Sequence, residues 1–183
     1  KADAHAVNWR WLETVTEFGS RSLNPNEALP ASATSADRVP NQLKTGAKAF
    51  YYMKGKGGKG FTSLDTSNLT RTNSMFFEAT AFNQNIGSWE IKNVKDTSSM
   101  FANAKAFNQN IGSWQVDAVE KMPEMFLNAH AFNQDIGSWQ VANVKDMSNM
   151  FYGTKKFDQD LSRWQVGEVR NMVGMFARSV KFN

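Results

Sequence analysis

Few side chains of this sequence could act as catalysts. The 183 residues include two histidines, His5 and His130, which lie far apart, and no cysteine. The absence of cysteine removes disulfides, thiol nucleophiles and thiolate metal sites together. No Ser-His-Asp order and no recurring pair of carboxylates stands in a context typical of a catalytic cleft. The sequence therefore predicts a protein that is not an enzyme and holds no cofactor.

A metal site can be considered where acidic residues cluster. Asp158 and Asp160 lie two residues apart, and Asp135 precedes Asp160 by 25 residues, so their carboxylates suggest calcium. However, neutral Asn85 and Asn110 occupy the equivalent positions earlier in the chain, and no EF-hand spacing follows. Stacked amides that satisfy backbone groups are the preferred interpretation, with calcium as the alternative. The amide columns are Asn83, Asn108, Asn133 and Asp158, followed by Gln84, Gln109, Gln134 and Gln159.

Two other patterns have ligand-binding interpretations that the sequence disfavours. Gly55, Gly57 and Gly60 form a literal G-x-G-x-x-G, but a strand-like segment follows where a nucleotide loop needs a long helix. A flexible basic turn is expected there, whose lysines could contact an acidic surface or lipid headgroups. The methionine pairs could bind Cu(I) through thioethers, but Met beside Phe at helical spacing indicates core filling.

A repeat of 25 residues organises most of the chain. Phe82, Phe107, Phe132, Phe157 and Phe182 keep this step, and so do four tryptophans and five Met-Phe pairs. A fixed period of this length is typical of a solenoid, in which each unit stacks only on its neighbours. The segment from Phe61 to Thr70 is a degenerate form of the same pattern, as expected of a terminal coil.

Each unit predicts a short strand and a short helix. Trp114, Gln115 and Val116 alternate as in a strand, with the glutamine facing outward. The methionines and the phenylalanine from Met122 to Ala129 fall at helical spacing, and Asp146 stands where the next helix needs an N-cap. Stacked strands of this kind would form a parallel sheet.

These units resemble the repeats of the BspA-like leucine-rich-repeat surface proteins, also known as mycoplasma-type lipoprotein repeats. The resemblance covers about residues 46–183 and is carried by the pattern in "MFLNAHAFNQDIGSWQVANVKDMSNM" and by "LDTSNLT" at residues 64–70. It implies a leucine-rich-repeat-type solenoid used for adhesion or protein–protein contact. It brings no catalytic residues with it.

The first 45 residues lie outside this resemblance. Residues 1–23 predict an amphipathic helical arm, because Trp11, Leu12, Val15 and Phe18 fall on one helical stripe with Trp9 nearby. Residues 24–45 contain three prolines among Ala, Ser and Thr, which predicts an extended linker. Aromatic residues of an arm are typical anchors at protein interfaces.

Composition and the chain start bear on partners and location. The net charge of +4 is mild and forms no basic stripe, so nucleic acid is not expected as a partner. No apolar run reaches the roughly 20 residues of a membrane span. The chain begins at Lys1, which suggests that a leader has been removed and that the protein is extracytoplasmic, on a cell surface, secreted or in an organelle lumen. Asn68 begins a glycosylation sequon, which has meaning only in a eukaryotic secretory route.

The sequence as a whole predicts an α/β repeat protein. The expected fold is a right-handed solenoid, similar to leucine-rich repeats, of about five strand and short-helix coils over residues 46–183, with the helical arm before it. The expected function is that of a protein-binding scaffold, which serves as a structural subunit docked in a larger assembly. The sequence leaves open whether this assembly also contacts a membrane peripherally. The alternative is a cell-surface adhesin or glycan-binding module. The predicted partner-binding residues are Trp9, Trp11, Leu12, Phe18, Glu90, Lys92, Gln115, Asp117, Gln140 and Gln165.

Overall fold

A computed structural model describes residues 66–183 of the chain. They comprise four 25-residue units, 82–106, 107–131, 132–156 and 157–181, preceded by part of another unit, 66–81, and followed by residues 182–183. The predicted arm (1–23), the predicted linker (24–45) and the glycine motif at residues 55–60 lie outside the described residues, so these interpretations stay predictions.

The predicted α/β solenoid of leucine-rich-repeat type is wrong. Between residues 66 and 183 the chain forms no helix and no extended strand, and turns make up its regular structure. The β structure there is limited to isolated parallel bridges between successive units, at Arg71–Asp96, Asp96–Lys121, Lys121–Asp146 and Asp146–Asn171. The same part of the chain contains no helix long and apolar enough to cross a membrane.

The segment predicted as a helix, from Met122 to Ala129, is a row of overlapping turns. The N–H groups of residues 122, 124, 126 and 128 donate to carbonyls of the next unit at 2.7–3.1 Å. The N–H groups of residues 125, 127 and 129 instead close turns within the unit at 2.9–3.4 Å. Backbone donors are therefore satisfied alternately by the next unit and by the same unit. In an α-helix they would donate to carbonyls of the same segment, four residues earlier.

Left-handed backbone at two positions per unit explains why no helix forms. Glu124 and Asn128 have φ values of 57° and 54°. Such a conformation costs an L-residue roughly 1–2 kcal/mol and cannot continue a right-handed helix. The bonds to the next unit offset this cost. The full set of these positions is Ser74, Glu78, Ser99, Asn103, Glu124, Asn128, Asn149, Gly153, Gly174 and Arg178.

The segment predicted as a strand has the expected burial pattern but not the backbone hydrogen-bond ladder of a sheet. Trp114 and Val116 are buried and Gln115 is exposed, so the predicted alternation is confirmed. Turns at residues 112–113 and 117–118 bound this segment on both sides. The N–H of Trp114 bonds to the carbonyl of Ile111 at 3.1 Å, within the same unit. The straight segment is therefore too short for a continuous hydrogen-bond ladder between units.

Two columns of phenylalanine rings form the centre of the core. The second phenylalanine of one unit stacks on the first of the next, as Phe101 does on Phe107, with centroids 3.9–4.1 Å apart, and equivalent rings of successive units lie 5.4–6.1 Å apart. The methionines at the 25-residue step from Met75 to Met150 are fully buried with them, which confirms the prediction of core filling. The columns are Phe76, Phe101, Phe126, Phe151 and Phe176, and Phe82, Phe107, Phe132, Phe157 and Phe182.

Tryptophan indoles connect each unit to the one before it. The Nε1–H of Trp114 donates to the carbonyl of Ile86 at 3.1 Å, and Trp139 makes the same bond to Ile111. Trp164 repeats it with Ile136 at 3.0 Å. Each indole is thereby buried with its one donor satisfied, which is the condition for tryptophan in a core.

Glycine lies where neighbouring units approach most closely. A Cβ at Gly112 would lie 2.6 Å from the carbonyl oxygen of Asp135, and one at Gly137 would lie 2.5 Å from that of Asp160. Both oxygens belong to the backbone of the next unit. Glycine is therefore required at these two positions by the spacing between units.

Candidate interaction surface

Six of the predicted partner-binding residues lie in the described part of the chain, and all six are exposed. Glu90, Gln115, Gln140 and Gln165 occupy one column of the 25-residue repeat, directly after the buried tryptophans. Two residues further along, Lys92 and Asp117 begin a second exposed column. We call these two columns the polar face: Glu90, Gln115, Gln140, Gln165, Lys92 and Asp117.

The polar face includes a shallow groove of about 350 Å³ at the first complete unit. Glu90, Lys92 and Gln115 line it together with Ser88, Ser113 and the backbone around Trp89. Lys92 and Glu90 form an exposed ion pair at 3.0 Å. The groove therefore offers hydroxyl, amide and charged groups, while the indole ring beneath it is only 4% exposed.

The four aromatic and apolar residues predicted to anchor the arm cannot be placed. Trp9, Trp11, Leu12 and Phe18 lie outside the described residues. Their role in docking stays a prediction.

The amide columns form the predicted structural ladder. The side-chain oxygen of Asn108 accepts the backbone N–H of Asn133 at 2.8 Å and the Nε2–H of Gln134 at 3.0 Å. Asn133 accepts the same two bonds from Asp158 and Gln159 one unit later, at 2.9 and 2.8 Å. Each asparagine thus satisfies a backbone donor of the next unit, and the ladder interpretation is confirmed.

Two of the three acidic residues considered for calcium serve as turn caps. Asp135 accepts the N–H of Gly137 at 2.9 Å, and Asp160 accepts that of Ser162 at 2.8 Å. Hydrogen bonds from the hydroxyl and the backbone of Ser162 lower the pKa of Asp160. Within residues 66–183 no three His, Cys, Asp or Glu side chains lie close enough together to hold a metal ion.

Asp146, predicted as a helix N-cap, caps a turn instead. Its Oδ1 accepts the N–H of Ser148 at 2.9 Å and the hydroxyl of the same residue at 2.7 Å. Asp96 makes the equivalent backbone bond to Ser98 at 3.0 Å. The local chemistry of the cap was predicted correctly, but no helix follows it.

Two charged columns next to the polar face were not predicted from the sequence. In the first, Arg71 and Asp96 pair at 3.2 Å, and Lys121 and Asp146 continue the alternation of sign. In the second, Glu120 lies between Lys95 at 3.8 Å and Lys145 at 3.0 Å. The hydrogen bond and positive charge of Lys145 lower the pKa of Glu120. Comparing signs at a 25-residue offset would have revealed both columns.

His130 lies in a basic column between Lys105 and Lys155. Its side chain is half-buried. Burial, and then the positive charges of Lys155 and Lys105, lower the pKa of His130 below its ordinary value of 6.5. The folded protein therefore favours the neutral imidazole.

This pKa shift predicts a loss of stability in mild acid. Because the folded-state pKa is lowered, the unfolded chain takes up a proton first as the pH falls through 6.5, so folding becomes less favourable until the folded-state pKa is passed. The variant His130→Gln should lose less stability than the wild type between pH 7.5 and pH 5. Urea unfolding of both proteins at the two pH values measures this difference. An identical loss in both proteins would contradict the assignment to His130.

Comparison with protein families identifies the repeat. The family described as "Mycoplasma protein of unknown function, DUF285" matches residues 45–151 and, in a second match, residues 110–183. The first match alone spans more than half of the chain. Comparisons with curated proteins and with solved structures give no match. The matched family is, in general terms, that of the BspA-like repeats to which the sequence resemblance pointed, and this chain belongs to the DUF285 family.

Proposed function

We propose that this protein is a non-enzymatic binding and scaffold module of BspA-like type that recognises another protein through its polar face. In this proposal it works outside the cytoplasm, on a cell surface, secreted or in an organelle lumen. It acts there as a structural subunit docked in a larger assembly. The N-terminal arm supplies a second contact through Trp9, Trp11, Leu12 and Phe18.

The observation that carries the proposal is the contrast between the buried columns, which form a constant frame, and the polar face, whose residues change between units. The buried columns repeat the same residue types from unit to unit, as at Trp114 and Trp139. The exposed positions change on the same frame, from Lys92 to Asp117 and from Glu90 to Gln115. A fixed frame that displays variable exposed residues is the usual basis of recognition in repeat proteins.

Protein is favoured over glycan as the ligand because the tryptophan side chains of the described units are used in the core. Trp89, Trp114 and Trp139 are 4%, 4% and 2% exposed, so their rings are not available to stack on a sugar. The polar face instead presents amides, hydroxyls and a few charges, which suit a polar protein surface. A cell-surface adhesin that binds glycans is the alternative that the experiment must separate.

The test uses the full chain with three arginines on the polar face, Gln115→Arg, Gln140→Arg and Gln165→Arg. The matched control replaces exposed cations away from this face, Lys105→Gln, Lys155→Gln and Lys181→Gln. Partners cross-linked in the native envelope fraction are identified by mass spectrometry, purified and titrated against each variant. We expect the arginine variant to weaken binding at least tenfold, while the control binds as the wild type does.

Three other outcomes would change the conclusion. Equal binding by both variants would exclude the polar face. Loss of the partner on deletion of residues 1–23, with the polar-face variant unaffected, would assign docking to the arm alone. Saturable binding on a glycan array that the arginine variant loses would favour the adhesin.

A further inference from the structure

The core alone cannot decide which unit stacks on which. Every unit between residues 82 and 181 supplies the same pair of phenylalanine rings and the same tryptophan. A unit could therefore bury its apolar face against a unit two steps away, with the intervening 25 residues looped out. Misassembly between similar segments is a characteristic failure of repeat proteins. Whatever selects the native order must lie in columns that differ between units.

The two charged columns differ in this way. Along the first column the signs alternate through Arg71, Asp96, Lys121 and Asp146. Along the second they alternate through Lys95, Glu120 and Lys145. The unit 107–131 carries an acid followed by a base, whereas both of its neighbours carry a base followed by an acid. Asp96, Glu120 and Lys121 consequently have opposite charges before and after them along the stack, whereas Lys145 is followed by Arg170.

Skipping unit 107–131 or unit 82–106 would destroy this alternation. If unit 82–106 stacked directly on unit 132–156, Lys95 would meet Lys145 and Asp96 would meet Asp146. If the partial unit 66–81 stacked on unit 107–131, Arg71 would meet Lys121. Like charges placed opposite one another are destabilising, and the native order avoids them at both interfaces of unit 107–131.

Contacts of the left-handed positions also differ from one interface to the next. The Oδ1 of Asn128 would lie 2.2 Å from a Cβ at Gly153, and that of Asn149 would lie 2.3 Å from a Cβ at Gly174. Each asparagine thus precedes a unit that has glycine at the equivalent position. Ser99, at the same position as Asn149, instead donates to Glu124 at 3.0 Å.

We propose that the inverted charge pair Glu120–Lys121 is a register key, which makes unit 107–131 the favoured unit between units 82–106 and 132–156 and disfavours stacking that omits it. The key works during folding, when units compete for the same apolar partner. It does not depend on the proposed binding function.

The test converts the key unit to the charges of its neighbours with Glu120→Lys and Lys121→Asp. This double change leaves the net charge unaltered but makes native stacking place like charges together. Its matched control, Lys105→Asp with Asp117→Lys, exchanges charges at exposed positions outside the two columns and also conserves net charge. Since the chain has no cysteine, an introduced pair reports on stacking without interference.

The reporter pair is Glu90→Cys with Gln140→Cys. In the native order these positions are two units apart. Because paired segments usually lie about 4.8 Å apart, the two Cα atoms are then separated by roughly 10 Å. A disulfide needs Cα atoms within about 7 Å, so the pair closes only when unit 107–131 has been skipped. The cross-linked monomer fraction after oxidative refolding is measured by non-reducing electrophoresis and peptide mapping.

At low ionic strength we expect the cross-linked fraction to be about threefold higher, or more, in the protein with the converted key than in the unconverted reporter protein. The reason is that several exposed charge pairs between units become repulsive instead of attractive. About 1 M salt shortens the Debye length to about 3 Å and should return the fraction to that of the unconverted reporter protein. The charge-swapped control should match that protein throughout. No rise at low salt, or a rise that persists in high salt, would overturn the proposal. An equal rise with Glu120→Gln would also overturn it, since that variant removes an attraction without creating repulsion.

Discussion

Replacing Trp114 with alanine is expected to lower the free energy of unfolding by about 3–5 kcal/mol, the range found when a large buried aromatic side chain is removed. The ring is 4% exposed, and its Nε1–H reaches the carbonyl of Ile86 in the preceding unit at 3.1 Å. The substitution therefore leaves a cavity at one interface between units and removes the bond to the Ile86 carbonyl, which keeps the N–H of Trp89 as its other donor. Urea unfolding followed by far-UV circular dichroism measures the loss.

The neighbouring residue provides the matched control. Gln115 is exposed and makes no side-chain bond to the next unit, so Gln115→Ala should change stability by less than about 0.5 kcal/mol. Equal losses from the two substitutions would show that the column of tryptophans does not hold the units together.

Adding one methyl group at Gly137 is expected to cost about 1–3 kcal/mol, the usual range for overpacking a well-packed site. The new Cβ would lie 2.5 Å from the carbonyl oxygen of Asp160, which belongs to the backbone of the next unit and cannot rotate away. The two units would have to separate locally. Thermal unfolding of Gly137→Ala should show this as a lower melting temperature.

Gly167→Ala is the control for this substitution. Nothing lies within 4 Å of a Cβ placed there, so the methyl group enters open space. Reducing the freedom of the unfolded chain should then leave stability unchanged or slightly raised. A similar loss at both glycines would mean that the close approach at Gly137 is not what requires glycine.

Burial was predictable because it depends on the residue types that recur. The 25-residue step identified the phenylalanine, methionine and tryptophan columns, and the structure buries Phe107, Trp114 and Met125 as predicted. The amide ladder was predictable for the same reason, since Asn108 and Asn133 can meet only if units stack in register. Periodicity therefore determined which side chains lie together.

Backbone conformation was not predictable from the same pattern. Met122, Met125, Phe126 and Ala129 have the spacing of a helical stripe, but a row of turns with every second N–H directed to the next unit also places them inside. Left-handed residues distinguish the two arrangements, and Glu124 gives no signal of that conformation. The tertiary bonds between units decided the outcome.

The candidate surface was partly predictable. Exposure of Gln115, Gln140 and Gln165 followed from their alternation with buried neighbours. The charged columns were missed because single residues such as Glu120 and Lys121 look like ordinary solvated charges until units are compared side by side. The repeat pattern does not indicate which partner binds the polar face, because that choice also depends on the surface of a second molecule.

The one-directional bonds of the turn segments have a mechanical consequence. In the units before 157–181, the N–H groups equivalent to those of Thr97, Ser99, Phe101 and Asn103 all point to the following unit, and they form one set of backbone bonds at each interface beside the indole and amide bonds. A pulling force applied to the stack would load these sets one after another from an end, since a unit contacts mainly its neighbours. Each unit that peels away would release about 80–90 Å of chain, the extended length of 25 residues. Stretching in a single-molecule instrument should therefore give a staircase of equal steps, which suits a tether that yields gradually under load.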